Sequence, residues 1–257
     1  STPEHAAVTE QDFENTPEFQ NAKAKTSNGQ TNADVAAYQK ALEKARELAK
    51  AAADQDKKNS ERPTQKQIND ALDALKAAKK QITDNYKTNL EALTAAKDFA
   101  GGDFKKTPEY KNALAKKTAG DQGATQALGE GNGNTGFDNV LKKVAEKLNN
   151  EDWKKKATQK QVNALLKQLQ DAQEKIAKDY KTDAIKLENE VGDKDQDGKP
   201  VVPPFEASVP YKNALEQAKT EDPATTDANS ATKRLAAYVE KLAKANELIE
   251  KVKNPDP

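Results

Sequence analysis

A ten-residue phrase occurs three times in this chain of 257 residues, and this repetition limits the folds that the chain can adopt. The copies are FENTPEFQNA from Phe13, FKKTPEYKNA from Phe104 and FEASVPYKNA from Phe205. Recurrence at such intervals is typical of tandem modules, in which each copy is one structural unit. We therefore expect three related modules and no single catalytic centre.

Each phrase predicts the start of a helix. At residues 107–109 the order Thr-Pro-Glu supplies a capping hydroxyl, a proline where no N–H is needed, and an acid near the positive end of the helix dipole. Residues 16–18 have the same order, and residues 208–210 have the looser version Ser-Val-Pro. The phrase is thus interpreted as the beginning of the first helix of each module.

A second helix is predicted to begin near an aromatic residue in each copy, at Tyr38, Phe137 and Tyr238. The segments AAYQKALEKAREL from Ala36 and AAYVEKLAKANEL from Ala236 have the same residue at eight of thirteen positions. Their shared apolar residues recur every three or four positions, which is the spacing of one helical face.

The third predicted element is TQKQINDALDALKAAKKQITDNYK in copy one and TQKQVNALLKQLQDAQEKIAKDYK in copy two. Apolar residues at alternating spacings of four and three predict one narrow stripe along a helix. The stripe consists of Ile68, Leu72, Leu75, Ile82 and Tyr86 in copy one, and of Val162, Leu166, Leu169, Ile176 and Tyr180 in copy two.

The stripe continues past both tyrosines without a glycine or proline. This continuity predicts unbroken helices from about Thr64 to Phe99 and from about Thr158 to Val191, each about 50 Å long at 1.5 Å per residue. Such helices would connect successive modules. No counterpart of the third element follows the second element of copy three, so we expect copy three to lean on copy two, to pair with another chain or to fray.

These patterns together predict an all-α fold, an elongated tandem array of three-helix bundles with long connecting helices. The expected parts are an N-terminal tail (1–12), module 1 (13–100), module 2 (101–191), an acidic, proline-bearing linker (192–204) and a truncated module 3 of two helices (205–257). Hydrophobic residues make up only 35% of the chain, which favours slender bundles over one large core.

Composition also narrows the functional classes. The chain has 42 basic and 42 acidic residues, interleaved, so it offers no charged field for nucleic acid or an anionic membrane. No apolar run approaches the roughly 18 residues of a membrane span. Cysteine is absent, which excludes disulfides, thiol catalysis and cysteine-ligated zinc. The N-terminus lacks the apolar core of a signal peptide, and we interpret the chain as a fragment of a larger protein.

The ordered motifs F-x-x-T-P-x-Y-K-N-A, an aromatic leading an Ala/Leu stripe, and A-T-Q-x-x-V-N-A-L-x-x-L resemble FIVAR-type three-helix modules. These modules are repeated in cell-wall-anchored surface proteins of Gram-positive bacteria, including extracellular-matrix-binding adhesins. The resemblance covers about residues 13–96, 104–187 and 205–253. It implies an extracellular, cell-wall-anchored protein with fibronectin or another matrix protein as partner, and it assigns no binding residue.

A second resemblance concerns the segment YKNALEQAKT from Tyr211, which is similar to the second helix of albumin-binding three-helix modules. The sequence EDPATTDANS that follows departs from that pattern. Albumin binding is therefore kept as an alternative.

A candidate calcium loop lies in DKDQDGK, where Asp193, Asp195 and Asp197 alternate as in the opening of an EF-hand loop. The twelfth position is Pro204, so the usual bidentate glutamate is missing, and Glu206 is the next acid. The alternative is a solvated hinge between copies two and three, stiffened by the sequence KPVVPP.

Other conspicuous residues have structural explanations. Trp153, the only tryptophan, is interpreted either as an exposed binding anchor or as a cap on the end of the bundle core. His5 lies in a polar tail, where a catalytic or metal role is not expected. The glycine-rich stretch 120–136 lacks the G-K-[ST] ending of a phosphate loop, and we expect a loop that varies without touching the bundle.

Two functional hypotheses follow, and neither is an enzyme. As an adhesin, the chain would bind a host matrix protein such as fibronectin multivalently, through repeated weak sites. As a stalk, it would project a distal adhesive domain from the cell wall without binding anything itself. An adhesin predicts an exposed apolar patch at the same place in each module, whereas a stalk predicts polar surfaces. In both cases we expect a monomeric rod.

Overall fold

The computed structural model describes residues 10–26, 29–54, 56, 58–129, 135–192, 202–222 and 227–254. Every regular element among these residues is a helix, which confirms the all-α prediction. The chain divides into two units, Ser1–Tyr180 and Lys181–Pro257. This division falls directly after the third element of copy two, whereas the sequence led us to expect a boundary at residue 191.

Four helices of the first unit carry the first repeat: α1 (Glu10–Glu14), α2 (Pro17–Ala24), α3 (Ala33–Ala53) and α4 (Gln65–Asn85). The predicted start signal at Thr16 works as a cap, since its side chain accepts a hydrogen bond from the Phe19 amide. At the start of α4, Thr64 forms a reciprocal capping box with Gln67. Helices α2, α3 and α4 contact one another around a shared core. That core consists of Phe13, Phe19, Ala22, Val35, Tyr38, Leu42, Leu75 and Ile82.

The remaining helices of the first unit are α5 (Glu91–Gly101), α6 (Pro108–Thr118), α7 (Gln122–Leu128), α8 (Phe137–Leu148), α9 (Glu151–Lys156) and α10 (Gln159–Asp179). Helix α10 contacts α5, α6, α7 and α8 around a second core. Leu93 and Ala100 of α5 are fully buried in this core, although α5 lies within the range expected for module 1.

The second unit contains α11 (Ile185–Val191), α12 (Val209–Thr220) and α13 (Ala231–Lys253). Both α11 and α12 contact α13. Helix α11 therefore packs on the second helix of copy three, just as α5 packs on α8, the second helix of copy two. Its Val191 is buried, together with Ala231 and Ile249 of α13.

Three aromatic rings form the same cluster in every repeat, two from the phrase and one from the following long helix. The ring centroids lie 5.2 to 5.7 Å apart in copy one, 5.0 to 6.0 Å in copy two and 5.2 to 5.6 Å in copy three. Six of these nine pairs are edge-to-face, an arrangement that aromatic quadrupoles favour, and the other three are tilted. The three clusters are Phe13, Phe19 and Tyr38; Phe104, Tyr110 and Phe137; and Phe205, Tyr211 and Tyr238.

One polar contact beside this cluster changes in a coordinated way. In copy three the Tyr238 hydroxyl donates to Glu206 at 3.2 Å, and copy one has the corresponding tyrosine and glutamate. Burial, followed by the charge of Glu206, raises the pKa of Tyr238 to about 12. Copy two has Phe137, which has no hydroxyl, and its phrase replaces the glutamate with Lys105, which pairs with Asp138 at 2.9 Å.

The prediction of unbroken helices through residues 64–99 and 158–191 is wrong. Helix α4 ends before Tyr86 and helix α10 ends before Tyr180, and both tyrosines adopt φ and ψ near −122° and 30°, outside the helical region. The next helices begin only at Glu91 and Ile185. Neither break needs glycine or proline, because side chains distant in sequence form hydrogen bonds to the carbonyls at these helix ends, as described below.

Two smaller expectations are also corrected. Leu72, predicted in the buried stripe, is 45% exposed, and its neighbour Ala71 is buried instead. The glycine-rich stretch 120–136 does touch the bundle, since it contains α7, whose Ala124, Ala127 and Leu128 are buried in the second core. At the end of this stretch, the backbone of Gly136 packs closely against the backbone of Gly129.

Replacing Gly136 by alanine should therefore destabilise the second core. The added Cβ would lie 2.2 Å from the Gly129 Cα and 2.6 Å from the Gln126 carbonyl oxygen, both backbone atoms. We expect a loss of about 2 kcal/mol in the free energy of unfolding, as for an overpacked interior. Urea unfolding followed by the fluorescence of Trp153, which packs against this core, measures the loss.

The matched control is Gly101→Ala at the end of α5, where an added Cβ meets nothing within 4 Å. This change should be neutral or stabilise the chain by less than about 1 kcal/mol. Equal effects of the two substitutions would contradict the described approach of Gly136 to Gly129.

Candidate functional site

The candidate functional site is the place where the two repeats of the first unit meet. We call it the junction and define it by Asn21, Tyr86, Thr88, Ala157 and Gln159. It joins the first helix of copy one, the end of its third helix, and the start of the third helix of copy two. All the contacts described below lie within the first unit.

Asn21, the ninth residue of the first phrase, is at the centre of the junction and is only 6% exposed. Its Nδ2 donates to the Tyr86 carbonyl oxygen and to the Thr88 Oγ1, both at 2.9 Å. Its Oδ1 accepts a hydrogen bond from the Gln159 amide at 2.7 Å. A carboxamide suits this position because it has two donors and an acceptor in one plane and carries no charge that would have to be buried.

Two helix ends are satisfied by this one side chain. The last carbonyls and the first amides of a helix have no partner within the helix, and leaving such groups buried and unpaired is costly. Asn21 donates a hydrogen bond to a carbonyl at the end of α4 and accepts one from an amide at the start of α10. It therefore stabilises both ends and fixes their relative position.

A second set of hydrogen bonds surrounds Asn21. The Thr88 hydroxyl donates to the Ala157 carbonyl oxygen at 2.6 Å. The Asn89 amide donates to the Gln159 Oε1 at 2.8 Å, and the Gln159 Nε2 donates back to the Asn89 carbonyl oxygen at 3.3 Å. The connection between α4 and α5 is thus bound along its length to the start of α10.

The Tyr86 side chain holds the end of α4 from the other side. Its hydroxyl donates to the Asp34 Oδ2 at 2.7 Å, and Asn32 Nδ2 donates to the hydroxyl at 3.0 Å. Burial raises the pKa of Tyr86, and the hydrogen bond to Asp34 raises it further. The phenol therefore remains protonated, as a donor must be, throughout the neutral range.

The same carboxamide contact recurs in copy two, where Asn112 Nδ2 donates to the Tyr180 carbonyl oxygen at 2.9 Å. In copy three the corresponding Asn213 is exposed, and no third helix follows α13 within the part of the chain that the structure describes. The quoted phrase already contained all three asparagines, but sequence reasoning gave them no role. The available signal was their fixed position, together with the recurrence of Tyr-Lys-Thr after each third element.

The residues that define the junction contribute neutral amides, hydroxyls and backbone groups. Across the described ranges, no group of three or more His, Asp or Glu residues could hold a metal ion. The calcium candidates Asp193, Asp195 and Asp197 lie outside the described residues, as does His5, so that site remains a prediction. No described helix combines the length and apolarity needed to cross a membrane.

Charged pairs on the helices are solvated, as the alternation of lysine and acid predicts. Lys66 pairs with Asp70 at 2.7 Å and Lys167 with Asp171 at 2.8 Å, all with exposed side chains. Trp153 is half-buried and packs against the second core, so it is not the fully exposed side chain of the anchor interpretation.

Some of the exposed apolar residues on the described surface recur at the same position in two repeats, and others do not. Leu72 is 45% exposed, while its counterpart Leu166 is partly buried against the core, so this position forms no repeated patch. Leu114 and Leu215, however, occupy corresponding positions on α6 and α12 and are 45% and 40% exposed. Copy one has Lys23 at this position.

Comparison with known proteins adds no assignment: no family model matches the chain, and no match was found among curated proteins or solved structures.

Replacing Asn21 by alanine should loosen the coupling of the two repeats. The substitution leaves the Tyr86 carbonyl and the Gln159 amide without their partner, and we expect a loss of about 2 kcal/mol in unfolding free energy. The distance distribution between spin labels at Glu43 and Gln170, both exposed, should broaden. The absence of native cysteine makes these positions easy to label.

Asn112→Ala is the matched control. It removes the same contact to a tyrosine carbonyl, at Tyr180, but no atom of the junction. It should lower stability while leaving the Glu43 to Gln170 distribution narrow. Equal broadening in both variants, or none in Asn21→Ala, would show that the junction does not fix the two repeats.

Proposed function

We propose that the chain is a non-catalytic repeat region of an extracellular, cell-wall-anchored bacterial surface protein, built as a tandem array of three-helix modules that acts as a spacer. The observation that carries this proposal is the hydrogen-bonded junction around Asn21. A spacer must keep its two ends at a fixed separation, so the connection between successive repeats has to resist bending. A buried side chain meets that need when it forms three hydrogen bonds, two to residues at the end of α4 in copy one and one to the start of α10 in copy two.

The composition of the junction also favours a mechanical role. The Asn21, Thr88 and Gln159 side chains all form hydrogen bonds to other groups of this chain. The surrounding helices carry exposed, alternating charges such as the Lys66–Asp70 pair, which favour solubility and give little binding energy. Repetition of the module then sets the length of the array, because each added module lengthens it by a fixed amount.

The spacer proposal predicts that the purified chain binds no host protein by itself. Biolayer interferometry against fibronectin, collagen, fibrinogen, albumin and immunoglobulin, with calcium and again with EDTA, should give no saturable signal. Saturable binding to any of them would contradict a pure spacer. Loss of such binding in EDTA and in an Asp195→Asn variant would identify the predicted calcium loop as its support.

A second function, multivalent binding of a matrix protein such as fibronectin, is favoured by one observation. Leu114 and Leu215 are exposed at the same position of two repeats, each one residue after the core alanine of the phrase. Two weak apolar contacts on one chain can give appreciable avidity when a ligand presents repeated sites. Copy one, with Lys23, would not take part.

If the chain is an adhesin of this kind, Leu114→Lys combined with Leu215→Lys should abolish binding to the matrix protein. Each single change should reduce the apparent affinity by about tenfold, since avidity needs both contacts. Leu72→Lys is the matched control, because it alters an equally exposed leucine at an unrepeated position. Equal loss in the control would exclude these leucines as the site, and a response to albumin alone would favour the albumin-binding alternative.

A further inference from the structure

We propose that the second unit has a receptor face for a third helix, formed by α12 and α13, and that its occupant is a helix with the apolar pattern of α4 and α10. The face is defined by Phe205, which precedes α12, by Tyr211 and Asn213 of α12, and by Tyr238, Leu242 and Lys244 of α13. This inference goes beyond the spacer role and does not depend on it.

The same core positions differ in exposure among the three repeats. The first aromatic of the phrase is 8% exposed as Phe13 and 6% exposed as Phe104, but 43% exposed as Phe205. The aromatic of the second helix is fully buried in copies one and two, whereas Tyr238 is half-buried. Aromatic residues that are buried in the cores of copies one and two are therefore partly exposed to solvent in copy three.

In copies one and two, a third helix covers these positions. Helix α4 contacts both α2 and α3, and helix α10 contacts both α6 and α8, so the third helix fills the groove between the first two. Ile82 and Ile176 enter these grooves and are fully buried. In copy three, α11 packs on α13 as α5 packs on α8, so it takes the position of a different helix.

Two polar residues of the face correspond to residues that form hydrogen bonds to the third helix, or to the tyrosine that ends it, in copy two. Asn213 corresponds to Asn21 and Asn112, each of which donates to the carbonyl of the tyrosine that ends a third helix. Lys244 corresponds to Lys143, whose Nζ donates to the Gln168 Oε1 of α10 at 3.2 Å. The occupant is therefore an amphipathic helix with isoleucine or leucine every three or four residues, a hydrogen-bond acceptor opposite Lys244, and a tyrosine at its end.

The complete chain and a fluorescent peptide of residues 158–181 test this inference. The peptide contains Val162, Gln168, Leu169, Ile176 and Tyr180 in their native spacing. Fluorescence anisotropy should show saturable binding with a dissociation constant below about 1 mM. A peptide carrying Leu169→Ser and Ile176→Ser should bind at least about tenfold more weakly, because it loses its buried apolar contacts.

Two chain variants test the polar contact. Asn213→Ala should weaken binding about fivefold, the effect of one lost hydrogen bond to a helix end. Asn246→Ala, which removes an exposed carboxamide of α13 that is not part of the face, should leave binding unchanged. Hydrogen exchange of the complex should slow at α12 and α13.

Three results would overturn the proposal. The first is the absence of saturable binding by the native peptide, or equal binding by the native and serine-substituted peptides. The second is protection at α6 and α8 in place of α12 and α13, which would mean that the peptide displaces α10. The third is a chain that sediments as a dimer and becomes monomeric with Leu242→Asp, since a second copy would then cover the face.

Discussion

The packing of the first unit depends on one constraint: buried helix ends must find hydrogen-bond partners outside their own helix. Asn21 meets this requirement for α4 and α10 together, through the Tyr86 carbonyl and the Gln159 amide. The end of one repeat and the start of an element in the next therefore share a single side chain. Because that side chain is buried, neither helix can move away without exposing or orphaning a polar group.

The repeats combine a constant apolar arrangement with polar contacts that vary in a coordinated way. The three-ring cluster has nearly the same spacing in each copy, while the contact beside it is a tyrosine with a glutamate in copies one and three, and Lys105 with Asp138 in copy two. Loss of the hydroxyl at Phe137 removes the donor that a glutamate would need, so the two replacements are physically linked. The copies are thus separate solutions to the same packing requirement.

Local signals in the sequence predicted local structure well. The caps at Thr16 and Thr107 depend on residues within one helical turn, so they could be recognised directly. The break at Tyr86 could not, because nothing in its neighbourhood stops a helix and its partner Asn21 is distant in sequence. Helical periodicity also left the phase of the stripe open by one residue, which is why Leu72 was predicted to be buried although it is exposed.

Hydrogen exchange at the Gln159 amide tests the central claim, that one carboxamide joins the two repeats, most directly. This amide occupies the first position of α10, where exchange is normally fast because the helix supplies no acceptor. Gln65 holds the same position in α4, where the described residues supply no corresponding asparagine, and it serves as the internal reference. The account predicts that Gln159 exchanges only on unfolding of the first unit while Gln65 exchanges freely. Equally fast exchange at both amides would contradict it.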